Sequence, residues 1–209
     1  MADMLGVRSV LAIGAHPDDL ELGCGATLAK LVAAGVRVRA LVLSEGFHGA
    51  ERGLHDRCTE TRSALHILGV TDVVQARLPD TSLPKVMSNI IAIIEAQCAD
   101  FKPDRVYTMF EHDRHQDHRA VYEASIVACR GISQILSYET PSAWPNFMPV
   151  VFEPVEDFMA LKVSALQCHA SQAHRPYMRE QQVRCNAQFR GHQVGLGPSE
   201  GFVPYKFVL

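Results

Sequence analysis

The sequence predicts an α/β fold, namely one Rossmann-like, three-layer domain with a mostly parallel sheet. The main observation is that strand-like segments alternate with helix-length segments from residue 8 to residue 140. Parallel strands need such crossovers, and the crossovers cover both faces of the sheet. A second observation is size, because 209 residues with 47% hydrophobic and 21% charged side chains suffice for one sizeable domain. We expect a single domain over residues 1–209, with a motif core in 8–130 and a C-terminal extension in 141–209.

Five strands are predicted in the first part of the chain, and the common doubly wound arrangement places them in the order 3-2-1-4-5. Their sequences are RSVLAIGA, RVRALVLS, DVVQARL, DRVYTMF and QILSYET. Residues typical of helix boundaries delimit the helices between them: Gly35 and Gly69 follow predicted ends, Pro84 begins a helix and Pro103 lies beyond one. After Pro141, two helical segments and a last strand, GFVPYKFVL, form the extension.

Composition excludes several classes of function. The net charge of −3 provides no overall positive field that would attract nucleic acid or an anionic membrane. The longest apolar runs are of strand length, and the N-terminus lacks the pattern of a signal peptide. Six dispersed cysteines, none in a C-x-x-C pair, are typical of reduced packing residues. We therefore expect a cytoplasmic protein without nucleic-acid or membrane partners.

Two polar loops follow predicted strands that should be neighbours. The stretch GAHPDD, residues 14–19, ends the first strand, and EHDRHQDH, residues 111–118, ends the fourth. In the order 3-2-1-4-5 these strands lie side by side where the order reverses, and ligands bind in the crevice at such a switch point. The fold therefore predicts that the two loops meet, although they are about a hundred residues apart in sequence.

The residue types in these loops suit a metal ion. Imidazole nitrogens and carboxylate oxygens are zinc ligands, and a catalytic zinc site usually has three protein ligands and one position for water. Two histidines and one carboxylate match that count, with one of Asp18 and Asp19 on the metal and the other facing the water. The alternative is that either aspartate caps the next helix. Neither a P-loop, a G-x-S-x-G elbow nor a complete G-x-G-x-x-G is present in the sequence.

These stretches carry a family resemblance. AHPDDLELGCGATLAKL resembles the A-H-P-D-D-x-E opening of the LmbE-like, or PIG-L, family of metal-dependent N-deacetylases. HQDHRAV is similar to the second family motif, H-P-D-H-x-A, with Gln116 where proline is usual. SEG, RCTETRSALHILGV, YETPS and ALQCHASQ resemble weaker family segments. The resemblance implies a Rossmann-like sheet, one zinc ion and hydrolysis of an N-acetyl group.

The resemblance also implies roles for individual residues. His16, Asp19 and His118 would bind the zinc ion, and Asp18 would be the general base. His115 would stabilise the oxyanion of the transition state.

Further residues are expected to support the site or to contact the substrate. Asp117 would orient His115 and favour its charged form. Arg57 and His169 are candidates for substrate binding. Loops near 46–56, 80–84 and 139–150 would shape the pocket.

The resemblance implies a small N-acetylated amino sugar, or a conjugate of one, as substrate partner, and it allows a homo-oligomer. Two other functions stay open. A Mg²⁺-dependent phosphohydrolase could also carry an aspartate pair after its first strand, although Mg²⁺ prefers oxygen ligands to histidine. A non-catalytic metal-binding protein on the same fold is the other alternative.

Overall fold

The structure is a computed structural model that describes residues 6–47 and 56–208. Six α-helices and seven strands are defined within these ranges. In chain order they are β1 (Ser9–Gly14), α1 (Asp19–Ala33), β2 (Arg37–Ser44), α2 (Arg57–Ile67), β3 (Asp72–Leu78), α3 (Met87–Phe101), β4 (Arg105–Thr108), α4 (Gln116–Ala128), β5 (Gln134–Tyr138), β6 (Val151–Pro154), α5 (Met159–Gln167), α6 (Glu180–His192) and β7 (Ser199–Phe207).

The sheet has seven strands in the order β3-β2-β1-β4-β5-β7-β6. The predicted α/β class and the order 3-2-1-4-5 are confirmed, and the pairings among these five strands are all parallel. β7 and β6 extend the sheet by antiparallel pairing, and β6 is a strand that the sequence analysis did not predict. The assignment of residues 1–209 to one domain stays a prediction.

The central strands form the middle of the core. Every residue of β1 and of β4 is buried, as expected for strands covered on both faces. α3 packs against α4, while α5 packs against both α1 and α2. A smaller apolar cluster joins α1 to α5 and α6 through Ala26, Met159, Val163, Leu166 and Val183. The C-terminal extension therefore completes one layer of the molecule.

α1 is interrupted at Cys24, which has non-helical backbone angles (φ −141°, ψ 16°). The helix begins at Asp19 and continues beyond this interruption to Ala33. The interruption leaves backbone groups without helical partners, and such groups need other partners when buried. Nζ of Lys162 donates to the carbonyl oxygen of Leu22 (2.7 Å). Two backbone N–H groups after the interruption donate to the Glu200 carboxylate, at 3.2 and 2.7 Å.

Lys162 and Glu200 also pair with each other, with Nζ 2.6 Å from Oε1 and both side chains buried. They lie on α5 and β7, so the extension holds both halves of α1 in place. Gly23 lies in the same stretch. A Cβ atom at this position would be 2.0 Å from the Tyr138 ring, so a residue with a side chain does not fit there. These contacts set the position of the α1 residues that follow β1.

Within the described ranges, no helix is both long enough and apolar enough to cross a lipid bilayer.

We expect Glu200→Gln to lower the free energy of unfolding by about 3–5 kcal/mol, because the buried Lys162 charge loses its counter-charge. Chemical denaturation monitored by circular dichroism measures this change. Glu153→Gln is the matched control, since Glu153 pairs with Lys30 in a more exposed position. The control should cost about 1 kcal/mol or less. Equal losses in the two variants would show that the buried pair does not hold α1.

Candidate active site

The two polar loops meet at the carboxyl ends of β1 and β4, which pair directly. His16, Asp18 and Asp19 lie between β1 and the first turn of α1, and His115 and His118 lie at the start of α4. Asp18 occupies the N-cap position of α1 in the left-handed conformation (φ 92°), and its side chain makes no capping hydrogen bond. The alternative in which Asp18 caps the helix through its carboxylate is therefore not realised.

Potential ligand atoms of three side chains converge in this crevice. Nδ1 of His16 lies 3.3 Å from Nε2 of His118 and 3.5 Å from Oδ2 of Asp19. Nε2 of His118 lies 3.4 Å from Oδ1 of Asp19. Zinc bonds to nitrogen or oxygen are about 2.0–2.1 Å long, so neighbouring ligand atoms of a tetrahedral site are about 3.3 Å apart. The distance between the two imidazole nitrogens therefore matches that of a zinc site, and Asp19 offers a different carboxylate oxygen to each of them.

In each of the two imidazole rings, the nitrogen that faces away from the convergence point contacts a carboxylate. Nε2 of His16 lies 3.1 Å from Oδ2 of Asp117 and 3.2 Å from Oδ1 of Asp80. Nδ1 of His118 lies 2.9 Å from Oδ2 of Asp113. A carboxylate that accepts the proton of one ring nitrogen leaves the lone pair of the other nitrogen free for a metal. The hydrogen bonds thus orient the lone pairs of His16 Nδ1 and His118 Nε2 toward the convergence point.

His16 also belongs to two groups of side chains without Asp19 whose ligand atoms lie within 4.8 Å of one another. One group adds His115 and His118, and the other adds Asp80 and Asp117. Both oxygens of Asp117 already have protein partners, since Oδ1 accepts from the Leu83 backbone N–H (3.1 Å). We therefore favour the Nδ1 side of His16 as the place for a metal ion.

The charge of the crevice favours a cation. Burial alone would lower the pKa of His16, but Asp117 and Asp19 raise it well above its usual value. Burial also opposes the charged form of His118, yet Asp19 and Asp113 raise the pKa of His118 to about 9. Burial alone would raise the pKa of Asp19, but His118 and His16 hold it well below its usual value. A divalent cation among these groups would supply the positive charge that protons otherwise provide.

Asp18 lies beside this cluster and contacts Arg57. Burial raises the pKa of Asp18 to about 6, although Arg57 acts in the opposite direction. The Arg57 guanidinium donates to Oδ2 of Asp18 (3.3 Å), to the Pro17 carbonyl (2.8 Å) and to the Gly46 carbonyl (2.8 Å). A Cβ atom at Gly46 would lie 2.3 Å from this guanidinium, and Gly46 has a φ of +64°. The glycine of the SEG stretch therefore permits Arg57 to join the loops after β1 and β2.

The structure corrects the predicted relation between Asp117 and His115. The Asp117 carboxylate contacts His16, whereas Nδ1 of His115 accepts from the Asp117 backbone N–H (3.2 Å). Burial and the neighbouring His16 and His118 lower the pKa of His115, although Asp117 acts in the opposite direction. With Nδ1 used as an acceptor, the neutral ring has its proton on Nε2. In that form, the free hydrogen-bond donor of His115 is Nε2–H.

These side chains line a cavity of about 390 Å³. Its wall includes His16, Asp18, Asp19, Arg57, His115 and His118 from the sequence analysis. It also includes residues that the sequence analysis did not assign: Leu22, Asp80, Thr81, Arg114, Pro141, Ser142, Gln172, Arg175 and Tyr177. Parts of the loops near 80–84 and 139–150 thus contribute as expected. Residues 48–55 of the loop near 46–56 lie outside the described residues.

The structure does not support substrate contact by His169. The residue is fully buried, so it presents no surface to a ligand. Its Nε2 lies 3.2 Å from Oε1 of Glu21, within ion-pair distance but without the alignment of a hydrogen bond. Two residues further on, the Ser171 backbone and hydroxyl donate to Glu60 at 2.9 and 2.6 Å. His169 and Ser171 of the HASQ stretch therefore contact α1 and α2, whereas Gln172 reaches the cavity wall.

Comparison with known proteins agrees with this geometry. Residues 11–129 match the model of the family described as PIG-L, GlcNAc-PI de-N-acetylase. The uncharacterized deacetylase YaiS of Escherichia coli (strain K12) is 48% identical over 170 residues, which cover 78% of this chain and 91% of the relative.

Solved structures show the same fold. The N,N'-diacetylchitobiose deacetylase of Pyrococcus horikoshii superposes with a TM-score of 0.81 at 25% identity, covering 97% of this chain and 86% of that chain. The 4-carboxy-2-hydroxymuconate hydratase GalB of a Pseudomonas strain gives a TM-score of 0.82 at 17% identity, covering 97% and 98%. The hydratase shows that the fold alone does not define the reaction.

More than half of the chain matches one family model, and the residues that resemble its motifs meet at one crevice. This chain belongs to the PIG-L family of deacetylases.

Proposed function

We propose that the protein is a zinc-dependent hydrolase that removes an N-acetyl group from a small amino sugar or sugar conjugate. The observation that carries this proposal is the convergence of His16 Nδ1, Asp19 and His118 Nε2 beside the buried Asp18 carboxylate. The N-acetylglucosaminyl substrate class is supported by the family description and by the chitobiose-acting relative.

His16, Asp19 and His118 would hold the zinc ion. When bound, zinc supplies Lewis-acid chemistry, which polarises a carbonyl group and lowers the pKa of water toward about 7. This ligand set also separates the proposal from a Mg²⁺-dependent phosphohydrolase, because two of its three donor atoms are imidazole nitrogens and Mg²⁺ prefers oxygen.

Asp18 is the proposed general base. Its carboxylate faces the cavity, and burial makes it a stronger base than an exposed aspartate. It would accept a proton as water adds to the amide carbon. The same proton would pass to the nitrogen when the C–N bond breaks, so that a carboxylic acid and an amine are released.

His115 is the proposed donor to the amide oxygen. Its Nδ1 is occupied by the Asp117 backbone N–H, which leaves the Nε2 proton for the oxygen as negative charge develops there. A preorganised donor in a buried site is worth more than one in water. A base and a donor in one cavity favour a catalytic role over simple metal binding.

Arg57 is the proposed positioning residue for Asp18. Its guanidinium spans Asp18 and the carbonyls of Pro17 and Gly46. It therefore holds the base against the loop, whether or not it also touches substrate.

We expect the protein to release acetate from N-acetylated amino sugars, to lose this activity after chelation, and to recover it with about one equivalent of zinc per chain. Acetate assays of N-acetylglucosamine, N,N'-diacetylchitobiose and glycosides of N-acetylglucosamine measure this, together with metal analysis of the same samples. Recovery with Mg²⁺ alone would contradict the zinc assignment. Failure of the zinc-loaded protein to release acetate from the whole panel would contradict the proposed function.

We expect Asp18→Asn to lower kcat by roughly 10²–10⁴-fold, because the amide cannot accept the proton. Bound zinc should stay at the wild-type ratio. Asp19→Asn, at the neighbouring position, is the control variant. It should lose bound zinc as well as activity, because the substitution removes a proposed metal ligand. Steady-state kinetics and metal analysis distinguish the two variants. A wild-type kcat in the Asp18→Asn variant would contradict the assignment of Asp18 as the general base.

We expect Arg57→Lys to lower kcat by about tenfold or more with little change in KM, because an ammonium cannot span one carboxylate and two carbonyls as a guanidinium does. Arg114→Lys, on the wall of the same cavity, is the comparison variant. A rise in KM at constant kcat in Arg57→Lys would instead indicate the predicted role in substrate binding.

A further inference from the structure

Two cysteine thiols meet at the end of α4 that lies away from the candidate active site. Cys98 lies in the last turn of α3, and Cys129 directly follows α4. Their Sγ atoms are 3.6 Å apart, although the two residues are separated by 31 positions in sequence. Both are free thiols in the structure. The packing of α3 against α4 thus brings together two reactive groups that the proposed deacetylase reaction does not use.

The backbone that carries the two thiols is held by hydrogen bonds. The N–H of Cys129 donates to the Ser125 carbonyl, and the carbonyl of Cys129 accepts from the Ile132 N–H, both at 2.8 Å. The carbonyl of Cys98 accepts from the Lys102 N–H (3.0 Å). The contact between the sulfur atoms is therefore set by the backbone on both sides of the interface between α3 and α4.

The two thiols differ in exposure and in acidity. Cys129 is fully buried, whereas Cys98 is half-buried beside the exposed ion pair of Glu95 and Arg130. The hydrogen bond from the Cys129 thiol lowers the pKa of Cys98, although burial acts in the opposite direction. The thiolate is the form of cysteine that reacts with oxidants. Cys98 is thus the accessible attacking sulfur, and Cys129 is a buried sulfur that can resolve its oxidised form.

We propose that Cys98 and Cys129 are a redox-active pair that hydrogen peroxide converts into a disulfide between α3 and the end of α4. The S–S bond of a disulfide is about 2.05 Å long, so the sulfur atoms must approach each other by about 1.5 Å. Rotation about the Cα–Cβ bonds of the two residues moves their sulfur atoms by distances of this size. The proposal does not depend on the deacetylase function.

The reaction has two steps. The Cys98 thiolate attacks one oxygen of hydrogen peroxide and the O–O bond breaks, which gives a sulfenic acid and a hydroxide that takes up the thiol proton as water. The Cys129 sulfur then attacks the Cys98 sulfur, the S–O bond breaks, and the Cys129 proton leaves in a second molecule of water. The two thiols together lose two electrons and two protons, and the peroxide is reduced to water.

The disulfide would close a loop that contains β4, the second polar loop and α4. Closing a loop of about 30 residues stabilises the folded protein by restricting the unfolded chain. His115 and His118 lie at the start of α4, whereas Cys129 follows its end. The length of the helix, about 20 Å, separates the bond from the crevice. Oxidation should therefore raise the Tm without disturbing the metal site.

The test treats the full-length, zinc-loaded protein with hydrogen peroxide, alkylates the remaining thiols and analyses non-reduced digests by mass spectrometry. We expect a cross-linked pair of peptides that contain Cys98 and Cys129 and that dithiothreitol separates. The Tm should rise by about 5 °C or more relative to the reduced protein. Cys98→Ser should give neither the cross-link nor the rise in Tm. Cys185→Ser, which removes an exposed thiol of α6, is the matched control and should retain both.

The wild-type digest decides the outcome without any variant. Oxidation of Cys98 to a sulfinic or sulfonic acid while Cys129 stays a thiol would overturn the proposal, because the two sulfurs would then pack together without bonding. So would an unmodified Cys98 at a peroxide concentration that fully oxidises Cys185. A cross-link that lowers the Tm would contradict the stabilising effect of the bond.

Discussion

Five carboxylates are buried at one edge of the sheet, and the need to compensate their charge governs the whole site. They belong to Asp18, Asp19, Asp80, Asp113 and Asp117. An unpaired buried carboxylate is strongly unfavourable, so each must face a hydrogen-bond donor or a positive charge. Their partners come from distant parts of the chain, and the parallel pairing of β1 with β4 brings these parts together. The candidate metal centre is thus the point at which the fold concentrates negative charge.

The C-terminal extension contributes to this site in two ways. Lys162 and Glu200 satisfy the backbone groups freed by the interruption of α1, the helix whose first residues carry Asp18 and Asp19. The same extension supplies α6 and β7, which line a cavity of about 460 Å³ beside the metal crevice. Residues after Pro141 therefore support the edge of the sheet that carries the candidate active site, and they also line the adjoining cavity.

The sequence was sufficient to predict the strand order and the meeting of the two polar loops, because both follow from alternating segments and from the switch-point rule. The roles of Asp80 and Asp113 could not be predicted from spacing, since each depends on which nitrogen of a histidine it faces. Asp113 was visible in the second loop, but nothing in the sequence indicated that it holds His118.

Other differences also arise from three-dimensional packing. The interruption of α1 at Cys24 is compensated by Glu200, which lies more than 170 residues from the backbone N–H groups that it accepts from. β6 is only four residues long, too short for a clear pattern of hydrophobic residues. His169 has the polarity of a surface residue, yet it is buried behind Glu21. Sequence patterns describe local preference, whereas these positions are determined by distant parts of the chain.

The left-handed backbone of Asp18 restricts which acid this position can use. Among residues with a side chain, aspartate and asparagine tolerate positive φ best, and bulkier residues are strained there. Glutamate would provide the same functional group on a longer arm, but at φ 92° it would carry a backbone penalty. Backbone conformation and the choice of acid are thus coupled at a single residue, the first aspartate of GAHPDD.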